Sequence, residues 1–412
     1  MINRSAFFLG KLENWLLCAI AFFFPMYKRL LPFVIAAYCL VFVLNGGLLK
    51  IIANLTDRYL LITTAFYTLL LIGISYSVEK EAAFFDVEVK FSLFLFPVIF
   101  AAKSLDKRLT YQLFFWFTIG CLAATLICFT TALVYYLDSA NASVFYYQEL
   151  SVFQHPSYFS MYLNFCIYLI YYYMVFDRDV NIVKSDVVMV GVIVIFAFFI
   201  VLLSSKIGLI TLFMVIFAGT LLWFLKSRAI FPSIMVFIML SGMIYFSFNY
   251  SNYIQGRIEE AVSSISDERV TFTTTGARIV IWSQSLELIK EHPFFGYGTG
   301  DVKHELIGKY REKGYDHLVE LRLNAHNQFL QTIISVGILG IILLLLYLYY
   351  PMFNVSFYNN LIYMGFLGLI SINLLTESMF ETQAGVVFYA FFNSILYFNR
   401  QAVAPFNLKR SK

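Results

Sequence analysis

The sequence predicts an all-α polytopic membrane protein with about twelve transmembrane helices and one large outer loop that itself contains helices. Of its 412 residues, 60% are hydrophobic and 13% are charged, whereas a soluble domain typically has about 45–50% and about 25%. The apolar residues also form runs between charges, each long enough to cross a bilayer. Because the net charge of +4 is small and scattered, we expect neither a soluble enzyme nor a nucleic-acid-binding protein.

Twelve apolar runs have the length of about 20 residues with which a helix crosses the hydrocarbon core. The first two are separated only by Pro25, Lys28 and Arg29, which interrupt one longer apolar stretch. The predicted spans are residues 12–27, 30–49, 59–77, 84–102, 112–137, 157–176, 186–204, 207–225, 230–249, 327–349, 357–376 and 382–398.

The spans divide the chain into four predicted parts. Residues 1–249 hold spans 1–9, residues 250–326 form the long loop, residues 327–398 hold spans 10–12, and residues 399–412 form a tail. With the N-terminus inside, cytoplasmic segments carry 15 Lys and Arg, and the short outer loops carry 5 when Lys90, inside the span 84–102, is counted with them. Basic residues accumulate on the cytoplasmic side, so we expect both termini in the cytoplasm and the long loop outside.

The long loop has a pattern that predicts a helix followed by a tight turn. The helical pattern covers about residues 268–291 and stops at His292-Pro293, because proline cannot continue a helix interior. Gly296, Gly298 and Gly300 follow at alternate positions. No strand precedes them, so a tight turn at the membrane surface is favoured over a nucleotide-binding loop.

The chain re-enters the bilayer through polar residues that include His326 and Asn327. A histidine with a pKa near 6.5 suits proton transfer at neutral pH. The alternative is an interfacial side chain that only extends to water. We therefore treat His326 as a candidate catalytic base and Asn327 as a weaker candidate beside it.

Two cations, Lys206 and Arg278, are candidates for binding phosphate, and Arg257 and Arg269 are weaker ones. Lys206 is the single charge between Val187 and Leu225, a stretch that fits two spans only if the chain turns at 204–206. Arg278 lies four residues before Trp282 on the predicted loop helix, where it could rest beside the indole. The alternatives are a snorkelling lysine and an arginine that anchors to lipid phosphate, and the anchor role is favoured more strongly for Arg257 and Arg269.

Acidic residues and metal ligands give weaker signals. Glu377 and Glu381 lie four residues apart at the outer end of the last hairpin and could orient a cation or a histidine, although such a pair is usually solvated. The histidines of the outer segments lack close metal-ligand spacing. The five cysteines lie inside apolar runs without a Cys-x-x-Cys pair. We expect no metal and no cofactor.

Read in order, these features resemble the O-antigen ligase and O-antigen polymerase family. Proteins of that family are polytopic and carry one large periplasmic loop with an arginine, a histidine-proline turn with alternate glycines, and a His-Asn re-entry helix. The matching features here are Arg278 and Trp282, the turn at 292–300, the segment His326-Asn327-Gln328-Phe329-Leu330-Gln331, and Gly337 with Gly340.

The resemblance implies transfer of a glycan from undecaprenyl diphosphate to an acceptor hydroxyl on the periplasmic face, without nucleotide sugar, metal or cofactor. By position, His326 matches the family's essential histidine and Arg278 its loop arginine. Lys206 falls where many relatives have arginine, so the charge is kept while the bidentate fork is lost. Direct attack would invert the anomeric centre.

The acceptor and the site of action are also implied rather than read from the residues. A ligase that uses lipid A-core is slightly favoured by the single dominant loop, and a polymerase or a protein O-oligosaccharyltransferase is the alternative. A transporter or flippase for lipid-linked sugars is the alternative of another class, disfavoured because the spans are almost free of charge and no repeat is visible. The expected location is the inner membrane of a Gram-negative bacterium, among membrane lipids.

Overall fold

The computed structural model describes residues 4–26, 29–178, 181–227, 274–353 and 360–399, with isolated positions at 238, 242 and 358. All regular elements in these ranges are helices. In chain order they are α1 Arg4–Phe23, α2 Leu31–Leu44, α3 Gly47–Asn54, α4 Arg58–Tyr76, α5 Lys80–Lys90, α6 Ser92–Ala102, α7 Lys107–Ser139, α8 Tyr147–Leu150, α9 Pro156–Val175, α10 Asp186–Leu203, α11 Lys206–Ser227, α12 Thr274–Glu291, α13 Val302–Glu312, α14 Asp316–Leu321, α15 Gln328–Tyr349, α16 Leu361–Thr376 and α17 Gln383–Phe398, with short 3₁₀ turns at Ala142–Phe145, Tyr350–Phe353 and Met379–Glu381.

Five helices in the described ranges are long and apolar enough to cross a membrane, which makes the chain a multi-pass membrane protein. They are Arg58–Tyr76, Lys107–Ser139, Asp186–Leu203, Lys206–Phe224 and Gln328–Phe353. Helices α2 and α3 would add a sixth span, bent by 85° at the break between them. Eleven of the twelve predicted segments overlap described helices. The segment 230–249 lies outside the described residues apart from positions 238 and 242, so the count of twelve stays a prediction.

Helices α9 and α17 form the centre of the bundle, and most of their side chains are buried. Helix α9 packs against α10, α11 and α16, while α17 packs against α6. The fully buried Asn393 of α17 accepts a hydrogen bond from the Tyr363 hydroxyl at 2.8 Å and donates one to the Tyr59 hydroxyl. A buried amide is expensive without partners, so this bond network fixes how α4, α16 and α17 meet.

Polar side chains cap the N-termini of several apolar helices. Asp57 accepts hydrogen bonds from the first backbone N–H groups of α4, and Asp106 does the same for α7. Ser185 accepts the bond from Val188 N–H at the start of α10. These side chains satisfy backbone donors that have no partner inside the helix.

The described part of the long loop, residues 274–326, has a small hydrophobic core of its own. Helices α12, α13 and α14 pack on one another around Ile281, Leu306, Tyr310 and Leu318, all of which are fully buried. Ile334 of α15 belongs to the same core. The loop helices are therefore packed onto the first turns of α15, where the predicted re-entry segment lies.

Candidate functional site

The segment before α15 holds His326 in a constrained backbone. His326 has φ +44°, in the left-handed region that few residues adopt. Its backbone N–H donates to Asn324 Oδ1 at 3.1 Å, and the Trp282 indole N–H donates to the Ala325 carbonyl at 3.1 Å. These bonds join the loop helix to the re-entry segment and set the direction of the imidazole.

Asn327 begins α15 and ties it to the loop before α17. Its Oδ1 accepts from the backbone N–H groups of Phe329 and Leu330 at 2.9 and 3.1 Å. Its own amide donates to the Leu375 carbonyl at 3.1 Å, and its backbone N–H donates to the Ser378 hydroxyl at 3.2 Å. Asn327 therefore acts on the position of its neighbour His326 through the backbone.

The structure brings His326 and Arg278 to one carboxylate, that of Glu377. The Arg278 guanidinium donates to Glu377 Oε1 at 3.0 Å, and His326 Nδ1 lies 3.3 Å from Oε2. Glu377 is buried, whereas the side chains of Arg278 and His326 are 30% and 26% exposed. A solvated acid pair was one alternative at this position, but the structure buries Glu377 between two candidate site residues.

Glu377 stays ionised although it is buried. Burial raises the pKa of this carboxyl, but the hydrogen bond with His326 and the charges of Arg278, His326 and His155 lower it further, so the pKa lies below its ordinary value. An ionised carboxylate only accepts hydrogen bonds. Nδ1 of His326 must therefore carry the proton, and in the neutral ring the lone pair is on Nε2.

Lys206 lies in a turn that reaches the same carboxylate through two serines. Helix α10 ends at Leu203 and α11 begins at Lys206, so the chain turns at the predicted residues. The Ser205 hydroxyl donates to the Ser157 hydroxyl at 3.4 Å, and Ser157 donates to Glu377 Oε1 at 3.3 Å. Lys206 itself is half-buried. The turn thus lies on the Arg278 side of Glu377.

The hypothesis that the Arg278 guanidinium could rest beside the Trp282 indole stays a hypothesis. The hydrogen bonds of the structure pair Arg278 with Glu377, and Trp282 with the Ala325 carbonyl. A buried carboxylate is a stronger partner for guanidinium than an aromatic face. The weaker candidates Arg257 and Arg269 lie outside the described residues.

The glycine-rich turn packs into a break in α15. Inside that helix, Val336 and Gly337 have non-helical backbone angles. The backbone N–H groups of Tyr297 and Gly298 donate to the carbonyls of Ile334 and Ser335, each at 2.9 Å, and Ile338 N–H donates to the Pro293 carbonyl at 2.9 Å. The turn therefore supplies the partners that α15 loses at its break.

The turn also connects α15 with α4 and α5. The Thr299 hydroxyl donates to the Leu70 carbonyl at 2.7 Å. The buried Asp301 carboxylate accepts from the backbone N–H groups of Val78 and Glu79, each at 2.7 Å, where α5 begins. The predicted tight turn is present, and its backbone also lies against two helices.

Replacing Gly337 with alanine is expected to destabilise this packing. Gly337 has φ +68° and ψ −161°, a region used almost only by glycine, and an added Cβ would lie 2.0 Å from the Phe294 carbonyl oxygen. Such strain costs about 1–3 kcal/mol before the clash is counted. Thermal unfolding of the purified protein should show a lower midpoint. Gly368→Ala is the control, because that helical glycine has open space around it; an equal midpoint for both variants would contradict the prediction.

Comparison with known protein families finds a match that covers part of this site. Residues 191–345 match the sequence profile of the family described as O-antigen ligase. This segment is therefore similar to an O-antigen ligase domain. The predicted relationship to the O-antigen ligase and polymerase family is confirmed. No curated protein matches the chain.

The family match supports a membrane glycosyltransferase of the ligase and polymerase type, which acts on a lipid-linked glycan and an acceptor. Lys206, Arg278 and His326 all lie inside the matched segment, whereas Glu377 lies beyond its end. The carboxylate that joins the candidate residues is therefore supplied by the C-terminal helices. In the described ranges, no three His, Cys, Asp or Glu side chains form a possible metal site.

Two groups near Glu377 were not predicted from the sequence. Ser157 donates to the carboxylate, and the charge of His155 lowers its pKa. Both precede or begin the apolar run of α9, where His155-Pro156 marks the start of a helix. A sequence pattern that marks the start of a helix does not show that His155 and Ser157 lie near a distant loop. Their place beside Glu377 is therefore visible only in the structure.

Two further acidic side chains, Asp86 and Glu381, lie beside the re-entry segment. Lys90 is buried and binds Asp86 at 2.6 Å and Glu381 at 2.9 Å. The Gln328 amide donates to Glu381 at 3.3 Å and its carbonyl accepts from Phe380 N–H at 2.6 Å. The polar residues of the re-entry segment thus hold the chain before α17 in place.

Proposed function

We propose that the chain transfers a glycan from undecaprenyl diphosphate to an acceptor hydroxyl, with His326 as the general base. The observation that supports it most is that His326 and Arg278 bind the same buried carboxylate. Held in this way, the base can act on the acceptor hydroxyl while the cation binds the diphosphate of the donor. Positioning of this kind supplies much of an enzyme's rate.

In the proposed step, Nε2 of His326 removes the proton of the acceptor hydroxyl while its oxygen attacks the anomeric carbon. The bond from that carbon to the diphosphate oxygen breaks, and its electron pair stays on the diphosphate. Arg278 and Lys206 offset the negative charge that grows there. Attack from the face opposite the leaving group inverts the anomeric centre.

Glu377 has two proposed tasks in this reaction. It accepts the Nδ1 proton of His326, which keeps the Nε2 lone pair directed at the acceptor, and it stabilises the imidazolium that forms. It also holds Arg278 in a fixed position before the donor binds. Asn327 and Ser157 position these groups and take no part in bond making.

We favour lipid A-core as the acceptor, which would make the enzyme an O-antigen ligase in the inner membrane with its site on the periplasmic side. The charge distribution supports that orientation. A polymerase or a protein O-oligosaccharyltransferase would use the same three residues with another acceptor. The acceptor is therefore a matter for direct assay.

A transporter of lipid-linked sugars is less well supported by the packing. Transporters use broken helices whose exposed backbone groups bind ions or substrate. Helix α15 is broken, but the Ile334, Ser335 and Ile338 backbone groups at the break are paired with the glycine-rich turn. These groups are not available for a transported solute.

The direct test is a transfer assay with purified protein, a polyprenyl-diphosphate glycan and separate acceptors: rough lipopolysaccharide, a second carrier-linked glycan, and a serine-containing peptide. No nucleotide is added, and a chelator is present. We expect transfer to lipopolysaccharide at a rate that the chelator leaves unchanged. A requirement for a nucleotide sugar, or donor movement across vesicles without transfer, would refute the proposal.

Arg278→Ala is expected to lower kcat/KM for the donor about 10–100-fold, because a charge-assisted hydrogen bond is worth about 1.5–3 kcal/mol. Arg278→Lys should lose less, since it keeps the charge but not the fork. Initial rates at varied donor concentration measure both. The control is Arg311→Ala, an exposed arginine of α13. If Arg278→Ala folds normally and transfers at the wild-type rate, Arg278 does not bind the diphosphate.

A further inference from the structure

A cavity of about 460 Å³ lies against His326, within the range of about 300–1,000 Å³ typical of small-molecule sites. Its wall includes the carboxylates of Asp86 and Glu381, the ring of Phe85, and the cations Lys303 and Arg322. The proposed reaction gives none of these five side chains a task. The cavity therefore has room and polar groups for a ligand not yet accounted for.

The cavity is lined by His326 but by neither of the candidate phosphate-binding residues, Arg278 and Lys206. Nδ1 of His326 faces Glu377, and Glu377 binds Arg278 and Ser157. His326 lines the cavity, whereas Glu377, Arg278 and Ser157 do not. The second ring nitrogen, Nε2, is at the opposite edge of the imidazole from Nδ1. Because Nδ1 is engaged by Glu377, a hydroxyl that binds His326 from the cavity would meet Nε2, the nitrogen with the free lone pair.

The walls have the chemistry that a sugar requires. Carboxyl oxygens accept hydrogen bonds from hydroxyl groups, and the side chains of Asp86 and Glu381 are kept in place by the buried Lys90. Phe85 is 67% exposed, so its ring is available to the apolar face of a pyranose. Lys303 and Arg322 are exposed and can bind a phosphate or carboxylate substituent.

We propose that this cavity is the acceptor subsite: it holds a terminal sugar with one hydroxyl at His326 and an anionic substituent at Lys303 and Arg322. The proposal rests on the proposed function, because it takes His326 as the base. It separates the two substrates, with the donor diphosphate on the Arg278 side of Glu377 and the acceptor in the cavity. It also predicts an acidic saccharide acceptor rather than a neutral one or a polypeptide.

The first test compares two neighbouring phenylalanines. Phe84 and Phe85 are 64% and 67% exposed, but only Phe85 lines the cavity. With a polyprenyl-diphosphate glycan as donor and rough lipopolysaccharide as acceptor, Phe85→Ala should raise KM for the acceptor about 10-fold, the loss of about 1.4 kcal/mol of ring contact. KM for the donor should stay constant, and Phe84→Ala should leave both values at the wild-type level.

The second test concerns the anionic substituent. Lys303→Ala should raise KM about 10-fold for phosphorylated lipopolysaccharide, and the penalty should disappear when the core phosphates are removed enzymatically. The control is Lys290→Ala, an exposed lysine at the end of α12 that does not line the cavity. A penalty of equal size with both acceptors would remove Lys303 from acceptor recognition.

The outcomes separate this subsite from the proposed function. A rise in KM for the donor in Phe85→Ala would assign the cavity to the donor glycan and overturn the proposal, as would unchanged kinetics in both Phe85→Ala and Lys303→Ala. Binding of phosphorylated core oligosaccharide, measured by calorimetry without donor, gives an independent result. If the wild-type protein binds it but transfers nothing while Phe85→Ala fails to bind it, the subsite stands and the transferase proposal fails.

Discussion

Replacing His326 with asparagine is expected to lower the rate of glycan transfer by about 10²–10⁴-fold, the usual contribution of a general base. Asparagine tolerates the left-handed backbone conformation that His326 adopts at φ +44°. The substitution therefore removes the base with little cost to the fold. Alanine at the same position should lose as much activity but has less tolerance for that backbone. The measurement is kcat for transfer from a polyprenyl-diphosphate glycan.

Donor binding is the readout that distinguishes loss of the base from loss of the site. Because Arg278 and Glu377 remain, His326→Asn should bind undecaprenyl diphosphate with near wild-type affinity. His304→Asn is the matched control, since that side chain is 60% exposed on α13. Near-normal transfer by a folded His326→Asn protein would eliminate His326 as the base and require another proton acceptor.

The apolar runs predicted where helices form but not where they break. The segment from Gln328 to Tyr349 predicts one continuous span, and the structure breaks α15 at Val336 and Gly337. The break is stabilised by hydrogen bonds to the turn around Gly296 and Gly298, residues distant in sequence. A local sequence pattern does not show contacts between distant residues. The glycines therefore predicted a turn but not that the turn would bind α15.

The bend between α2 and α3 has the same explanation. The sequence between Leu31 and Lys50 is almost uniformly apolar and predicts one span, whereas the structure turns by 85° after Leu44. The turn uses Gly46 at φ +78°, a conformation that glycine adopts at little cost. A Gly-Gly pair permits a bend but does not require one, so the sequence alone could not choose.

The candidate residues were chosen by chemical type and position, and their grouping was not predicted. His326 was chosen because a histidine suits proton transfer at neutral pH, and Arg278 because it lies four residues before Trp282 on the predicted loop helix. Glu377 was one of two acids with equal sequence evidence. In the structure, Glu377 pairs with Arg278 and His326, whereas Glu381 pairs with Lys90. The two acids have different neighbours because the chain turns at Met379–Glu381.

Replacing Glu377 with glutamine is expected to lower kcat by roughly 10³–10⁴-fold, the order found when a carboxylate that orients a catalytic histidine is made neutral. Glutamine keeps the shape but can present an NH₂ group to Nδ1, which favours the tautomer with the proton on Nε2. It also leaves Arg278 without its anionic partner. Glu377→Asp should recover part of the rate, because the charge returns at a slightly longer distance.

A pH series separates this electrostatic role from a purely structural one. The pKa of Glu377 lies below its ordinary value of 4.5, so the stability that its charge contributes is present above that value and is lost as pH falls through the lowered pKa. The difference in unfolding midpoint between wild type and Glu377→Gln should therefore be constant above about pH 8, where histidines are ordinarily neutral, and shrink in acid. Glu312→Gln, at a side chain 64% exposed on α13, should show no such difference, because surface ion pairs contribute little. A midpoint difference that persists unchanged at low pH would mean that Glu377 acts through its shape, and the loss of kcat could then not be assigned to its charge.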